Sequence, residues 1–149
     1  MFNFNENVPS TNSISYAAIL LRVSLGTLLI AHGLLKVLVF TMPGAIGFFD
    51  AIGIPAPTIS AYLVVIFELF GGALLLLGIL TRWVAAASVP LMLGAAAFAH
   101  AGNGWLFSNE GGGWEYPVFL AIACAVQWLL GSGNYKAVGK INDTQADQS

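Results

Sequence analysis

The chain has 149 residues, of which 58% are hydrophobic and 8% are charged, and its formal net charge at pH 7 is -2. This hydrophobicity is too high and too clustered for the core of a soluble domain of this size. With five Lys and Arg residues in all, the sequence has no basic surface that would bind nucleic acid. The single cysteine, Cys124, excludes an internal disulfide and a CxxC pair, so the chain has no thiol redox centre of its own.

Apolar runs predict four membrane-spanning helices. A helix needs about 20 residues to cross a hydrocarbon layer about 30 Å thick, and it satisfies its own backbone hydrogen bonds there. Two runs reach this length, a third nearly does and a fourth is shorter; they cover residues 14–35, 58–80, 83–101 and 116–131. The predicted fold is an all-α integral membrane four-helix bundle, a single domain over residues 14–135. Polar tails, residues 1–13 and 136–149, are expected to flank it.

The connections between the predicted spans differ in chemistry. The segment between the first two spans, MPGAIGFFDAIGIPAP, is rich in Gly and Pro and suits a re-entrant or surface segment. Almost nothing separates the second span from the third, so these two are expected to form an antiparallel hairpin.

Lys and Arg residues outside the apolar runs predict the orientation. Arg82, Lys136 and Lys140 would share one side of the membrane, and the other side would have only Lys36. Because Lys and Arg accumulate on the cytoplasmic side, both termini are expected in the cytoplasm.

Two charged residues, Arg22 and Glu68, each lie inside an apolar run. Such residues are rare because an unpaired charge in hydrocarbon costs several kcal/mol, and they mark functional sites or structural pairs. At a rise of about 1.5 Å per residue, Arg22 lies about 12 Å and Glu68 about 18 Å from the cytoplasmic ends of their spans. We therefore expect them to pair, either as a structural salt bridge or as a catalytic, proton-active site. Arg22 shares its helix face with Gly26 and Gly33, where small residues allow a second helix to approach closely.

A second polar group is predicted near the outer face. His32 and His100 both lie about 26–27 Å along their spans, so they are expected at one level. Lys36 follows His32 by one turn, and Glu115 immediately precedes the fourth span. The four residues are interpreted as wetted helix ends, as a ligand-binding site for a quinone headgroup, or as a metal site. No HxxxH or ExxH spacing supports the metal, and none is predicted.

Five segments of the sequence match the pattern of a known family. They are Arg22 with LGTLLIAHGLLK, then GIPAP, FELFGGALLLLGILTR, AAAFAH and GGWEYP, and they follow one another between Ile14 and Lys136. In these segments the chain resembles the DoxX family of small bacterial four-helix membrane proteins. The resemblance implies a link to membrane oxidoreductase systems, including a subunit of a thiosulfate:quinone oxidoreductase and partners in oxidative-stress complexes.

The favoured hypothesis is an inner-membrane subunit that interacts with a quinone or anchors a redox partner. A quinone is then the candidate cofactor, and the partners are the lipid bilayer, a soluble or membrane redox protein and further copies of the chain. The alternatives are a non-catalytic scaffold and a small-molecule or proton transporter. A quinone site predicts a cavity near His32 and His100, a scaffold predicts none, and a transporter predicts a polar path from Arg22 and Glu68 to both faces.

Overall fold

The computed structural model describes residues 9–134, which form five helices. They are α1 (Thr11–Val39), α2 (Thr41–Ala51), α3 (Pro57–Leu77), α4 (Thr81–Asn103) and α5 (Glu115–Leu130). Three of them, α1, α3 and α4, are long and apolar enough to cross a membrane. The predicted all-α membrane fold is therefore confirmed, and the protein is a multi-pass protein of the lipid bilayer.

The fourth predicted span corresponds to α5, which is shorter than the other three. Its 16 residues extend about 24 Å, less than the hydrocarbon layer of about 30 Å. A complete crossing by α5 therefore stays a prediction, as does the orientation of the chain. The C-terminal tail predicted over residues 136–149, with its two lysines, lies outside the described residues.

α1 is longer than its predicted span at both ends. It begins at Thr11 because Ser10 caps it, with the Ser10 hydroxyl oxygen accepting a hydrogen bond from the Ser13 N–H at 3.2 Å. It continues to Val39, so its 29 residues extend about 43 Å. The helix therefore exceeds the hydrocarbon layer by about 13 Å, or about two turns, and this excess decides which of its residues lie opposite the other helices.

The Gly/Pro-rich connection folds into the short helix α2 rather than an irregular loop. Phe40 alone lies between α1 and α2, and Thr41, the first residue of α2, adopts the left-handed region at φ 61°. α2 buries Ala45 and Phe49 and packs on α3 and on the end of α1. α3 then begins at Pro57, a residue that suits the first turn because it lacks an N–H.

α3 and α4 form the expected tight hairpin. Gly78 takes the left-handed conformation after the last residue of α3, and its N–H donates to the Leu75 carbonyl at 3.0 Å. The Ile79 N–H donates to the Leu74 carbonyl at 2.9 Å, which completes a glycine-terminated helix end. α4 begins at Thr81, so only residues 78–80 connect the two helices.

Glycines bring α1 and α3 into backbone contact. A Cβ atom on Gly26 would lie 2.9 Å from the Gly72 carbonyl oxygen, and one on Gly72 would lie 2.7 Å from the Gly26 carbonyl oxygen. Seven residues after Gly26 on α1, a Cβ atom on Gly33 would lie 3.2 Å from the Glu68 Cβ. These contacts fix the register of two antiparallel helices, and the register positions the polar residues discussed below.

The hydrophobic core lies between α1, α3, α4 and α5, and α5 packs along α4. Its buried members are Leu25, Leu29, Leu75, Val84, Met92, Leu120, Ala121 and Cys124. Cys124 is a buried free thiol, which is the usual setting of an unreactive cysteine. It adds packing rather than chemistry.

Candidate functional site

A buried ion pair joins α1 to α3. The Lys36 ammonium donates to both carboxylate oxygens of Glu68, at 2.7 Å to Oε1 and 2.9 Å to Oε2. The side chain of Glu68 is 5% exposed and that of Lys36 is 18% exposed. Both hydrogen bonds join charged groups, which makes them stronger than bonds between neutral groups. The pair therefore compensates two charges that would otherwise be costly in a membrane.

The carboxylate of this pair belongs to the middle of a spanning helix. Glu68 lies eleven residues after Pro57 and nine before Leu77, the two ends of α3. These separations correspond to about 16 Å and about 14 Å of helix. Lys36 lies further toward the α2 end of the bundle, and its long side chain reaches back to Glu68, as helical side chains point toward their own N-terminus.

The expected pair between Arg22 and Glu68 is wrong. Arg22 is buried, and its Nη1 donates to the Ser132 carbonyl at 3.2 Å and lies against Gly78. The prediction aligned the cytoplasmic ends of the two spans, whereas the glycine contacts place Arg22 level with the end of α3. Gly78 follows α3 and Ser132 follows α5, so the guanidinium lies at two helix C-termini, the negative ends of their dipoles.

His32 lies beside the ion pair on the outer surface of α1. The His32 Nδ1 is 3.0 Å from the Leu28 carbonyl oxygen, so this nitrogen carries a proton and Nε2 is the acceptor of a neutral ring. The residue is exposed, while its neighbour Gly33 contacts Glu68. His32 also lies within electrostatic range of the Glu68 carboxylate. Three proton-carrying groups, an imidazole, an ammonium and a carboxylate, therefore occupy one region of α1 and α3.

His100, near the end of α4, and Glu115, the first residue of α5, lie elsewhere and hydrogen-bond to the loop between these two helices. The His100 Nδ1 is 2.9 Å from the Gly112 carbonyl oxygen. A Glu115 carboxylate oxygen accepts a hydrogen bond from the Phe107 N–H at 2.7 Å. Among residues 9–134, no hydrogen bond or ion pair joins His100 or Glu115 to the residues around the ion pair. The prediction that the four outer residues form one cluster is therefore wrong.

Helix register explains why the two histidines are separated. Gly33 lies opposite Glu68, and a Cβ atom on Gly71 would lie 3.2 Å from Val84 Cγ1. Counting along the helices from these contacts puts His100 about 20 Å further along the bundle than His32. The prediction that both histidines lie at one depth failed because it counted each histidine from the start of its own span. The two starts lie at different depths, since α1 begins well beyond the level at which α3 ends and α4 begins.

Each membrane-length helix widens into a π-helical segment, a feature that sequence analysis missed. The three segments are Leu35–Val39 in α1, Phe67–Gly71 in α3 and Ala95–His100 in α4. Such segments are rare and are frequent at functional sites. Lys36 lies in the first of these segments and Glu68 in the second, and His100 is the last residue of the third. No residue type or spacing distinguishes these stretches from the α-helix around them.

Comparison with known proteins places the chain in a family. Residues 17–101, more than half of the chain, match the family model described as DoxX. The chain belongs to the DoxX family. The matched region includes both members of the ion pair and both histidines, and it ends before α5.

One curated relative is a Bacillus subtilis (strain 168) protein named "Putative oxidoreductase CatD". It is 37% identical to the chain over 83 residues, which are 56% of this chain and 59% of the relative. The chain thus spans less than two thirds of that protein's length. No solved structure matches the chain.

Proposed function

We propose that this DoxX-family protein is the quinone-interacting membrane subunit of an oxidoreductase system, and that the quinone headgroup binds from the lipid phase at His32. The observation that carries the proposal is the Lys36–Glu68 pair, whose carboxylate lies in the middle of α3, with an exposed imidazole beside it. The oxidoreductase name of the Bacillus relative supports the same class of chemistry.

The three side chains have the properties that a quinone headgroup needs. Because the Leu28 carbonyl accepts from Nδ1, the neutral His32 ring offers Nε2 to a hydroquinone hydroxyl, and the protonated ring donates to a quinone carbonyl. Lys36 and Glu68 supply a second proton donor and acceptor nearby. The bound quinone would supply the two-electron, two-proton chemistry, with electrons exchanged with a soluble or membrane redox partner.

A non-catalytic anchoring role is the second candidate, and the α4–α5 loop favours it. Trp105, Leu106 and Phe107 are each more than half exposed in this loop. The hydrogen bonds of His100 and Glu115 to the loop backbone hold it in place. A preformed apolar loop outside the helix ends suits recognition of a partner protein. The proton-path transporter has no comparable support, because Arg22 and Glu68 lie at different levels.

Binding of a quinone analogue to detergent-purified protein tests the main proposal. His32→Ala should weaken binding up to about tenfold, the loss expected for one hydrogen bond to a neutral group. His100→Ala is the matched control, since His100 is bonded to the loop and lies about 20 Å away along the bundle. A photoreactive quinone should label α1 near His32 in the wild type.

Three outcomes would overturn the proposal. They are equal affinity in the wild type and His32→Ala, equal losses in both histidine variants, and no binding to the wild type. The last result, together with capture of a redox protein that Trp105→Ala abolishes, would favour the anchoring role instead.

A further inference from the structure

A cavity of about 470 Å³ lies at the opposite end of the bundle from the α4–α5 loop. It is lined by residues 78–83, which form the α3–α4 hairpin, and by Ser132. We propose that this cavity binds the phosphate of a phospholipid headgroup. The site is separate from the proposed quinone site and does not depend on it.

The start of α4 supplies hydrogen-bond donors to the cavity. Thr81, Arg82 and Trp83 are the first three residues of this helix, and no side chain caps it. The N–H groups of a first helical turn have no partners within the helix, and the positive end of the helix dipole lies there. Together these features favour an anion.

The charge of the cavity wall is positive. The exposed Arg82 lines it and uses one guanidinium nitrogen in a long, 3.4 Å hydrogen bond to the Leu129 carbonyl. Behind the wall, the Arg22 guanidinium lies against Gly78 and donates to the Ser132 carbonyl. Among the described residues that line the cavity, none is an Asp or a Glu. An anion in the cavity would therefore meet the Arg82 side chain, with the Arg22 guanidinium behind the wall.

Thr81 gives independent support for a polar ligand. It lines the cavity and is 3% exposed, and its hydroxyl oxygen has no hydrogen-bond partner among the described residues. A buried hydroxyl without a partner costs about 1–3 kcal/mol. A phosphate oxygen accepting from this hydroxyl would remove the cost, and the neighbouring backbone N–H groups would complete the coordination.

The depth of the cavity favours a lipid phosphate over a free one. Gly78 directly follows the spanning helix α3, so the cavity lies where the hydrocarbon layer ends and headgroup phosphates begin. Trp83, 76% exposed, flanks it as an aromatic residue typical of this interface. An acyl chain can then follow the exposed apolar surface of α4 while the phosphate occupies the cavity.

The test compares three probes on the detergent-purified full chain. They are dioleoyl phosphatidylglycerol, dioleoylglycerol, which lacks the phosphate, and inorganic phosphate. The melting temperature and the lipid retained in native mass spectrometry are measured for each. Only the phospholipid is expected to raise the melting temperature and to stay bound at one molecule per chain.

Three variants identify the site. Arg82→Gln should weaken phospholipid binding at least about fivefold, and Thr81→Val about threefold or more. Arg82→Lys keeps the positive charge and should retain more of the binding than Arg82→Gln. Because Arg82 is exposed, its variant is expected to fold, so it decides the test even if Thr81→Val does not fold.

Several results would overturn the proposal. Equal binding by wild type and Arg82→Gln would place the lipid elsewhere, and equal losses in Arg82→Lys and Arg82→Gln would show that the positive charge does not contribute. Equal stabilisation by dioleoylglycerol would remove the phosphate from the interaction. Equal stabilisation by inorganic phosphate would identify a free-anion site instead of a lipid site.

Discussion

Removing either partner of the Lys36–Glu68 pair should strongly destabilise the helix bundle. Lys36→Met replaces the ammonium by an apolar chain of similar length, and Glu68→Gln keeps the shape of the carboxylate without its charge. Each single change leaves one charge without its partner, and Glu68 has little access to water because its side chain is only 5% exposed. The double variant leaves no uncompensated charge.

The contacts set the expected magnitude. Breaking a buried ion pair by removing one partner costs about 3–5 kcal/mol. The cost of Lys36→Met should fall in this range because it leaves the buried Glu68 carboxylate without its partner. Glu68→Gln should fall at the lower end, because the Lys36 side chain is 18% exposed and its ammonium can shift toward the surface. The free energy of unfolding of the double variant should fall by less than the sum of the two single losses, with a coupling energy of about 2 kcal/mol.

The assay is reversible unfolding of the purified protein in mixed micelles, with helix content followed by circular dichroism. Glu110→Gln is the matched control: this carboxylate is exposed in the α4–α5 loop, and its removal should change the free energy of unfolding by less than about 0.5 kcal/mol. Additive losses in the double variant would refute the argument, since they would mean that the two side chains do not stabilise each other.

Two further predictions concern helix packing and orientation. Gly72→Ala should lower the free energy of unfolding by about 1–3 kcal/mol, because its Cβ would lie 2.7 Å from the Gly26 carbonyl oxygen; Gly94→Ala, whose Cβ meets nothing within 4 Å, is the control, and equal effects would contradict the proposed close contact. Asn109→Cys in a Cys124→Ala background should react with a membrane-impermeant thiol reagent added outside intact cells, and labelling only after lysis would reverse the orientation.

The helices themselves were accessible to sequence analysis because hydrophobic length is a strong signal. An apolar run of about 20 residues has few stable alternatives in a bilayer, so α1, α3 and α4 were located to within a few residues at each end. The helix α2 was not predicted, because its Gly and Pro residues are typical of a turn. Its stability depends instead on burying Ala45 and Phe49, which is a tertiary contact.

The partners of the buried charges were not predicted, because depth along one helix does not determine register against another. The information was present in part in the glycines: matching Gly26 with Gly72, the two positions of closest approach, sets Gly33 within about one helical turn of Glu68. Lys36 then becomes the nearest cation to the carboxylate. The π-helical segments, in contrast, depend on a change in the backbone hydrogen-bond pattern, and no residue type in this chain indicates where that change occurs.

The corrected register gives the two buried cations different roles. Arg22 lies at the ends of α3 and α5, where a positive charge is favourable to helix dipoles and close to water, so its burial has a structural explanation. The Lys36–Glu68 pair has only part of this explanation: Lys36 lies in the last turn of α1, but Glu68 lies in the middle of α3, and apolar side chains of similar volume often stabilise a buried site as well as an ion pair or better. Packing therefore does not explain why two charges occupy this position. A pair of proton-carrying groups beside the exposed His32 is explained by chemistry that needs them there, and this is why the quinone proposal rests on the pair and not on Arg22.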